Sequence, residues 1–233
     1  MTNLVTQVGE IAEEMPARTA IGYEGRETSY EEFWAQVGGF AAALDERGIG
    51  PDDRVAVYLP NLPQFLVAFH GTLRAGGVVV PMNPQYKARE IGHLLADSGA
   101  KAVVALGDLV PFVEEVREET ELQEVISVGE AEVGNATPFE AFLADGELDI
   151  VERDDDDDAV QPYTSGTTGR PKGVQLTHEN LATNAEASVS VVPGGIRADD
   201  EMLGVLPLFH IYGMTVTMNA TLFAGGAYYP RPS

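Results

Sequence analysis

Residues 53–80 read DRVAVYLPNLPQFLVAFHGTLRAGGVVV. Asp53 to Leu59 is an apolar, β-branched run, the pattern of a buried strand. Pro60-Asn-Leu-Pro63 turns the chain into a helix from Gln64 to Ala75, and Gly76-Gly77 stops that helix. Val78-Val-Val80 is the next short strand. Strand–helix–strand is the signature of a parallel sheet.

The same alternation extends outward. Lys87 to Ser98 reads as a helix with Ile91, Leu94 and Leu95 on one side. Ala102 to Leu106 is a strand, Leu109 to Glu119 a helix with an acidic outer face, and Glu124 to Val128 a strand. Upstream, Leu4 to Glu14 has helical spacing and ends before Pro16. Thr19 to Tyr23 and Glu27 to Tyr30 form a short hairpin. Ser29 caps a helix whose face carries Phe33, Val37, Phe40 and Leu44, with Trp34 as a packing residue. The fold class is therefore α/β, mainly parallel sheet with packed helices. His70 and His93 fall in helices as isolated histidines and are read as surface or packing residues, not metal ligands.

A second region carries chemistry. Tyr163 to Val174 is Tyr-Thr-Ser-Gly-Thr-Thr-Gly-Arg-Pro-Lys-Gly-Val. Hydroxyls at Thr164, Ser165, Thr167 and Thr168 alternate with Gly166, Gly169 and Gly173. Glycine lets backbone N–H groups approach a ligand, and hydroxyls donate to it. Lys172, one of only three lysines in the chain, adds a point charge suited to phosphate. The pattern suits a polyphosphate. It is not a Walker A loop, because Gly173, not Ser or Thr, follows Lys172.

Three stretches together resemble the adenylate-forming superfamily of acyl-CoA synthetases, peptide-synthetase adenylation domains and luciferases. Tyr163–Val174 resembles its phosphate-loop signature. Leu73–Pro84, LRAGGVVVPMNP, resembles the upstream core motif. Leu206–Gly213, LPLFHIYG, resembles the downstream aromatic motif in its acyl-CoA synthetase form. The resemblance implies ATP-dependent activation of a carboxylic acid, most simply a fatty acid, through an acyl-adenylate to a coenzyme A thioester. It implies ATP, Mg²⁺ and coenzyme A as cofactors. Thr164 would lie near the metal, and Ser165, Gly166, Thr167, Thr168, Gly169 and Lys172 would hold phosphates. His210 would face the reacting carboxylate, with a helix-start histidine packed between Phe209 and Tyr212 as the plainer reading. Family members run to more than twice this length, so the chain is expected to be the first part of the large N-terminal domain. Three alternatives stay open: an enzyme loading a carrier-protein thiol, a nucleotide-binding module without catalysis, and an inert remnant with an exposed apolar edge.

The remaining expectations come from composition and pattern. The net charge of −23, from 37 acidic against 14 basic residues, disfavours nucleic-acid binding. Acidic excess with few lysines suggests a cytoplasmic protein of a salt-accumulating organism, since molar salt screens self-repulsion. There are no cysteines, no apolar run long enough for a membrane span and no secretory signal pattern. The aspartates at 154–158 are expected to form an extended, solvated linker, and a calcium tract is the weaker reading. This divides the chain into a first α/β unit (1–150), an acidic linker (151–162) and the start of a second unit (163–233). Val160 to Thr164 is expected to be one strand, Gly173 to Thr177 another, and Glu201 to Leu206 a third. Thr177 caps a helix reaching Val191. Ile211 to Phe223 is an apolar helix whose Met214, Val216 and Met218 line either an acyl pocket or the core. Oligomeric state is not legible.

Overall fold

The computed structural model describes residues 3–131, 133–164 and 170–232. Helix α1 (Leu4–Glu14) starts at Asn3, whose side chain accepts the Val5 amide at 3.0 Å. A hairpin follows, β1 (Thr19–Tyr23) and β2 (Arg26–Ser29), turning through Glu24 and Gly25 at positive φ. Ser29 caps α2 (Tyr30–Asp45) in a reciprocal box with Glu32. That pair satisfies two backbone amides that no helical carbonyl reaches.

The alternation then runs β3 (Arg54–Tyr58), α3 (Pro63–Arg74), β4 (Val78–Pro81), α4 (Ala88–Ser98), β5 (Ala102–Leu106), α5 (Val110–Val116) and β6 (Glu124–Val128). Next come β7 (Thr137–Pro138), α6 (Phe139–Phe142), β8 (Asp158–Val160), β9 (Tyr163–Thr164), β10 (Lys172–Gly173), β11 (Leu176–Thr177) and α7 (His178–Val191). The chain ends with β12 (Glu201–Gly204), a π-helical segment Gly213–Asn219, α8 (Ala220–Phe223) and β13 (Ala227–Pro230).

Seven strands form one sheet in the order β11-β8-β4-β3-β5-β6-β7, in which only the β11–β8 pair is antiparallel. Successive side chains along a strand point to opposite faces. Val55 and Val57 of β3 accordingly pack with Phe40 of α2 and Phe65 and Phe69 of α3. Ala56 and Tyr58 of β3 pack with Ile91 and Leu95 of α4 and Val113 of α5. Helices thus cover both faces of the central strands, which is why those strands read as unbroken apolar runs. Four further strands form a second sheet, β12-β13-β1-β2, and β9 with β10 forms a separate hairpin.

Helix α3 is buried from Phe65 through Arg74. Arg74 is held there by Glu147 at 3.1 Å and the Leu148 carbonyl at 2.6 Å, and its guanidinium lies 4.5 Å from the Trp34 ring centroid. Trp34 is thus a packing residue.

Several local expectations differ from what forms. The aspartate run is not an extended linker. Asp154 donates its amide to the Asp157 carboxylate at 2.9 Å, Arg153 pairs with Asp52 and Asp157, and Asp158 opens β8 within the seven-stranded sheet. The run does not simply repel itself, because its own side chains cap a turn and an arginine neutralises one end. The strand expected over Val160–Thr164 breaks at Pro162, which has no amide to continue the ladder. Gly173–Thr177 likewise divides into β10 and β11, and Glu201–Leu206 is a strand only to Gly204. The helix over Leu109–Glu119 narrows to α5 between two short 3₁₀ turns.

Candidate functional site

The stems of the Tyr163–Val174 stretch form the two-stranded hairpin. In its register Lys172 lies opposite Thr164 and Gly173 opposite Tyr163. Directly opposed residues of an antiparallel pair stand close enough to act on one ligand. Both Thr164 and Lys172 are exposed. Ser165, Gly166, Thr167, Thr168 and Gly169, also singled out from the sequence, lie outside the described residues.

Both stems are pinned to the body of the protein. The Val174 amide donates to the Pro162 carbonyl at 2.9 Å. Tyr163 donates its hydroxyl to the Asp97 carboxylate at 2.7 Å, and Gln161 donates to that hydroxyl at 3.1 Å. Burial, reinforced by the hydrogen bond and charge of Asp97, holds the Tyr163 phenol well above its ordinary pKa, so it stays a donor. On the other stem His93 Nε2 donates to the Pro171 carbonyl at 3.1 Å. His93 also meets the Tyr163 ring edge-on, with centroids 6.4 Å apart. His93 and Asp97 are one helical turn apart on α4, so a single helix face holds both ends of the loop.

His210 sits elsewhere, just past the carboxyl end of β12, where ligands gather in open α/β sheets. Its side chain is exposed. The ring Nδ1 accepts the Tyr212 amide at 3.3 Å, which places the proton of the neutral ring on Nε2. Asn61, fully buried, fixes the segment. It donates to the carbonyls of Gly204 at 3.1 Å and Leu206 at 2.9 Å, and accepts the Leu208 amide at 2.8 Å. Gly213 follows because a Cβ there would collide with the Pro207 carbonyl oxygen. The chain continues into the π-helical turn, a form that recurs at functional sites. There Met214 and Met218 are fully buried in the core, and the buried Asn219 side chain has no partner among the described residues.

The structure therefore brings Thr164 and Lys172 together. No hydrogen bond, ion pair or ring contact among the described residues joins His210 to that pair. Sequence reading passed over Asp97, Gln161 and Asn61. The spacing of His93 and Asp97 was the one signal available for the α4 clamp. Asn61, between Pro60 and Pro63, carries no sequence signal beyond that of a turn residue.

A divalent cation is implied for such a site. Among the described residues no group of three or more His, Asp or Glu side chains is placed to hold a metal. Thr164 offers one exposed hydroxyl. That donor set fits Mg²⁺ held chiefly by phosphate and water, not by a protein cage. No helix among the described residues is long and apolar enough to cross a membrane.

The family model described as AMP-binding enzyme matches residues 8–233. The chain is 30% identical over 242 residues to the long-chain-fatty-acid–CoA ligase of Bacillus subtilis (strain 168), covering 92% of this chain and 43% of that one. It is 36% identical over 191 residues to 4-coumarate–CoA ligase 2 of Nicotiana tabacum, covering 80% of this chain and 35% of that one. Among solved structures, the anthranilate CoA ligase AuaEII in complex with anthranoyl-AMP superposes with a TM-score of 0.92 at 21% identity, over 99% of this chain and 45% of that one. The chain thus spans less than half the length of these proteins.

Proposed function

The chain belongs to the AMP-binding enzyme family, and from that premise we propose that it carries the phosphate-handling part of an ATP-dependent carboxylic-acid activation. A carboxylate oxygen attacks the α-phosphorus of ATP, the bond to the β-phosphate oxygen breaks, and pyrophosphate leaves. The acyl-adenylate then passes its acyl group to the thiol of coenzyme A and releases AMP. The relatives' printed names support a fatty or related acid. Whole-enzyme activity on the present chain is part of the proposal, since more than half of the relatives' length has no counterpart here.

The observation that carries the reading is the opposed Thr164–Lys172 pair on a hairpin pinned at both stems. Catalysis of this kind depends on fixed charges aimed where charge develops. Lys172 stabilises the departing pyrophosphate, and Thr164 supplies one oxygen beside the metal. Bound Mg²⁺ would neutralise phosphate charge. Ser165, Gly166, Thr167, Thr168 and Gly169 complete the phosphate contacts in this reading. His210, exposed at the strand end, orients the carboxylate. Transfer to a carrier-protein thiol, and nucleotide binding without chemistry, remain competing readings.

Acid-dependent exchange of labelled pyrophosphate into ATP tests the proposal, with long-chain fatty, aryl and short-chain acids as substrates. Exchange that needs one of these acids supports it. Nucleotide binding with no exchange for any acid favours the non-catalytic module. Thioester formation on coenzyme A or on a carrier protein then separates the two ligase readings.

A further inference from the structure

Arg89, His93 and Asp97 recur at one-turn spacing along α4, so they share one face. His93 and Asp97 hold the stems of the loop. Arg89 and His93, with Glu90, Arg170 and Pro171, line an open cleft of about 370 Å³ beside the loop's C-terminal end.

Charge pairing divides the arginines of the chain. Arg47, Arg54, Arg74, Arg117, Arg153 and Arg197 each lie within 4.0 Å of a carboxylate. Arg18, Arg26, Arg89, Arg170 and Arg231 have no such partner among the described residues, and of these Arg89 and Arg170 are the two that line the cleft beside the loop. The acid of the cleft, Glu90, is engaged in capping α4 through the Lys87 amide at 3.1 Å. Two guanidiniums are thus kept clear of carboxylates around one recess. Guanidinium forks match phosphate oxygens, and they bind them in pairs.

We propose that this cleft is an anion subsite for a polyphosphate, pyrophosphate in the reaction above. Arg89 and Arg170 contact the phosphate, and His93 and Asp97 are positioning residues that fix Pro171 and Tyr163 around it. The inference rests on the phosphate-loop reading and extends it to a wall built from α4. It also gives the polyanion a local field of the right sign on a surface whose net charge of −23 would otherwise repel it.

The test is calorimetric titration of inorganic pyrophosphate with Mg²⁺ into the chain, at a salt concentration where circular dichroism confirms folding. Arg89→Gln and Arg170→Gln should each weaken binding about tenfold, a typical cost for one charge-assisted contact. His93→Leu should weaken it too. His93→Gln, which keeps a donor for the Pro171 carbonyl, should restore it at an unchanged unfolding midpoint. Lys172→Ala separates the two levels. If Lys172→Ala weakens binding and both arginine variants bind like the wild type, the cleft is wrong and the loop reading stands. If the arginine variants weaken binding and Lys172→Ala does not, the cleft stands and the loop reading fails. No binding by the wild type at millimolar pyrophosphate overturns both.

Discussion

Asn61 accepts the amide of Leu208 at 2.8 Å across 147 residues of sequence, from a side chain with no solvent exposure. Its amide nitrogen spans the carbonyls of Gly204 and Leu206. One turn of the seven-stranded sheet thereby sets where β12 stops and where the His210 segment begins. Asn61→Ala should cost on the order of 2 kcal/mol, because the buried Leu208 amide and the partly buried Leu206 carbonyl lose their partner, while the Gly204 carbonyl keeps the Arg231 amide at 3.0 Å. Chemical denaturation measures this, and a change below about 0.5 kcal/mol would show that water or a shift of the segment replaces the side chain.

Gly213 makes the neighbouring contact. An alanine there would drive its methyl into the Pro207 carbonyl, a backbone atom that cannot swing aside. Gly213→Ala should destabilise by about 1–3 kcal/mol and displace His210. Unfolding midpoints check the first effect, and the ring resonances of His210 check the second.

His70 titrates against the fold. It lies fully buried in α3, with Phe33 and Phe69 presenting ring contacts at 5.5 and 5.1 Å, and its Nε2 has no partner among the described residues. Burial pushes its pKa down to about 4, against the hydrogen bond to the Leu66 carbonyl. Between that value and the ordinary one near 6.5 the unfolded chain binds more protons than the native one. Stability from this group is therefore whole above about pH 6.5 and falls as pH drops toward 4, by about 3 kcal/mol across the window. His70→Leu should lose that slope, so its stability relative to wild type should improve as pH is lowered. A constant difference from pH 7 to pH 4 would contradict the assignment.

Salt should stabilise the protein. At about 0.1 M the Debye length is about 10 Å and the surplus of carboxylates repels itself. At about 1 M it is about 3 Å and the repulsion is screened. The unfolding temperature should rise steeply between these concentrations and not with an uncharged osmolyte of equal osmolality. An equal rise with both would remove the case for a salt-adapted surface.

The central alternation was legible because strands covered on both faces leave continuous apolar runs, as in Val55–Leu59 and Val78–Val80, and because Gly76-Gly77 ends α3 abruptly. The capping serine and the hairpin at Gly25 were legible for the same reason: local geometry demands those residue types. The aspartate run misled because charge pattern alone does not register that Asp157 caps its own turn and that Arg153 lies within reach. The clamps were illegible for a different reason. Asp97 and Tyr163 lie 66 residues apart, and Asn61 and Leu208 lie 147 apart. Such pairs leave no periodic mark in a single sequence. Thr164 and Lys172 could be singled out from the loop's residue types and the family resemblance, but only the hairpin register puts them face to face.

Titration of Mg-ATP into the wild type and into Lys172→Ala, with the unfolding midpoint of each, is the most direct test of the phosphate assignment. Lys172 is exposed and forms no ion pair among the described residues, so its removal leaves the fold intact. The expected result is at least tenfold weaker binding in the variant at an equal midpoint. Equal affinity in the two proteins would mean that the Thr164–Lys172 hairpin does not hold the phosphates of ATP.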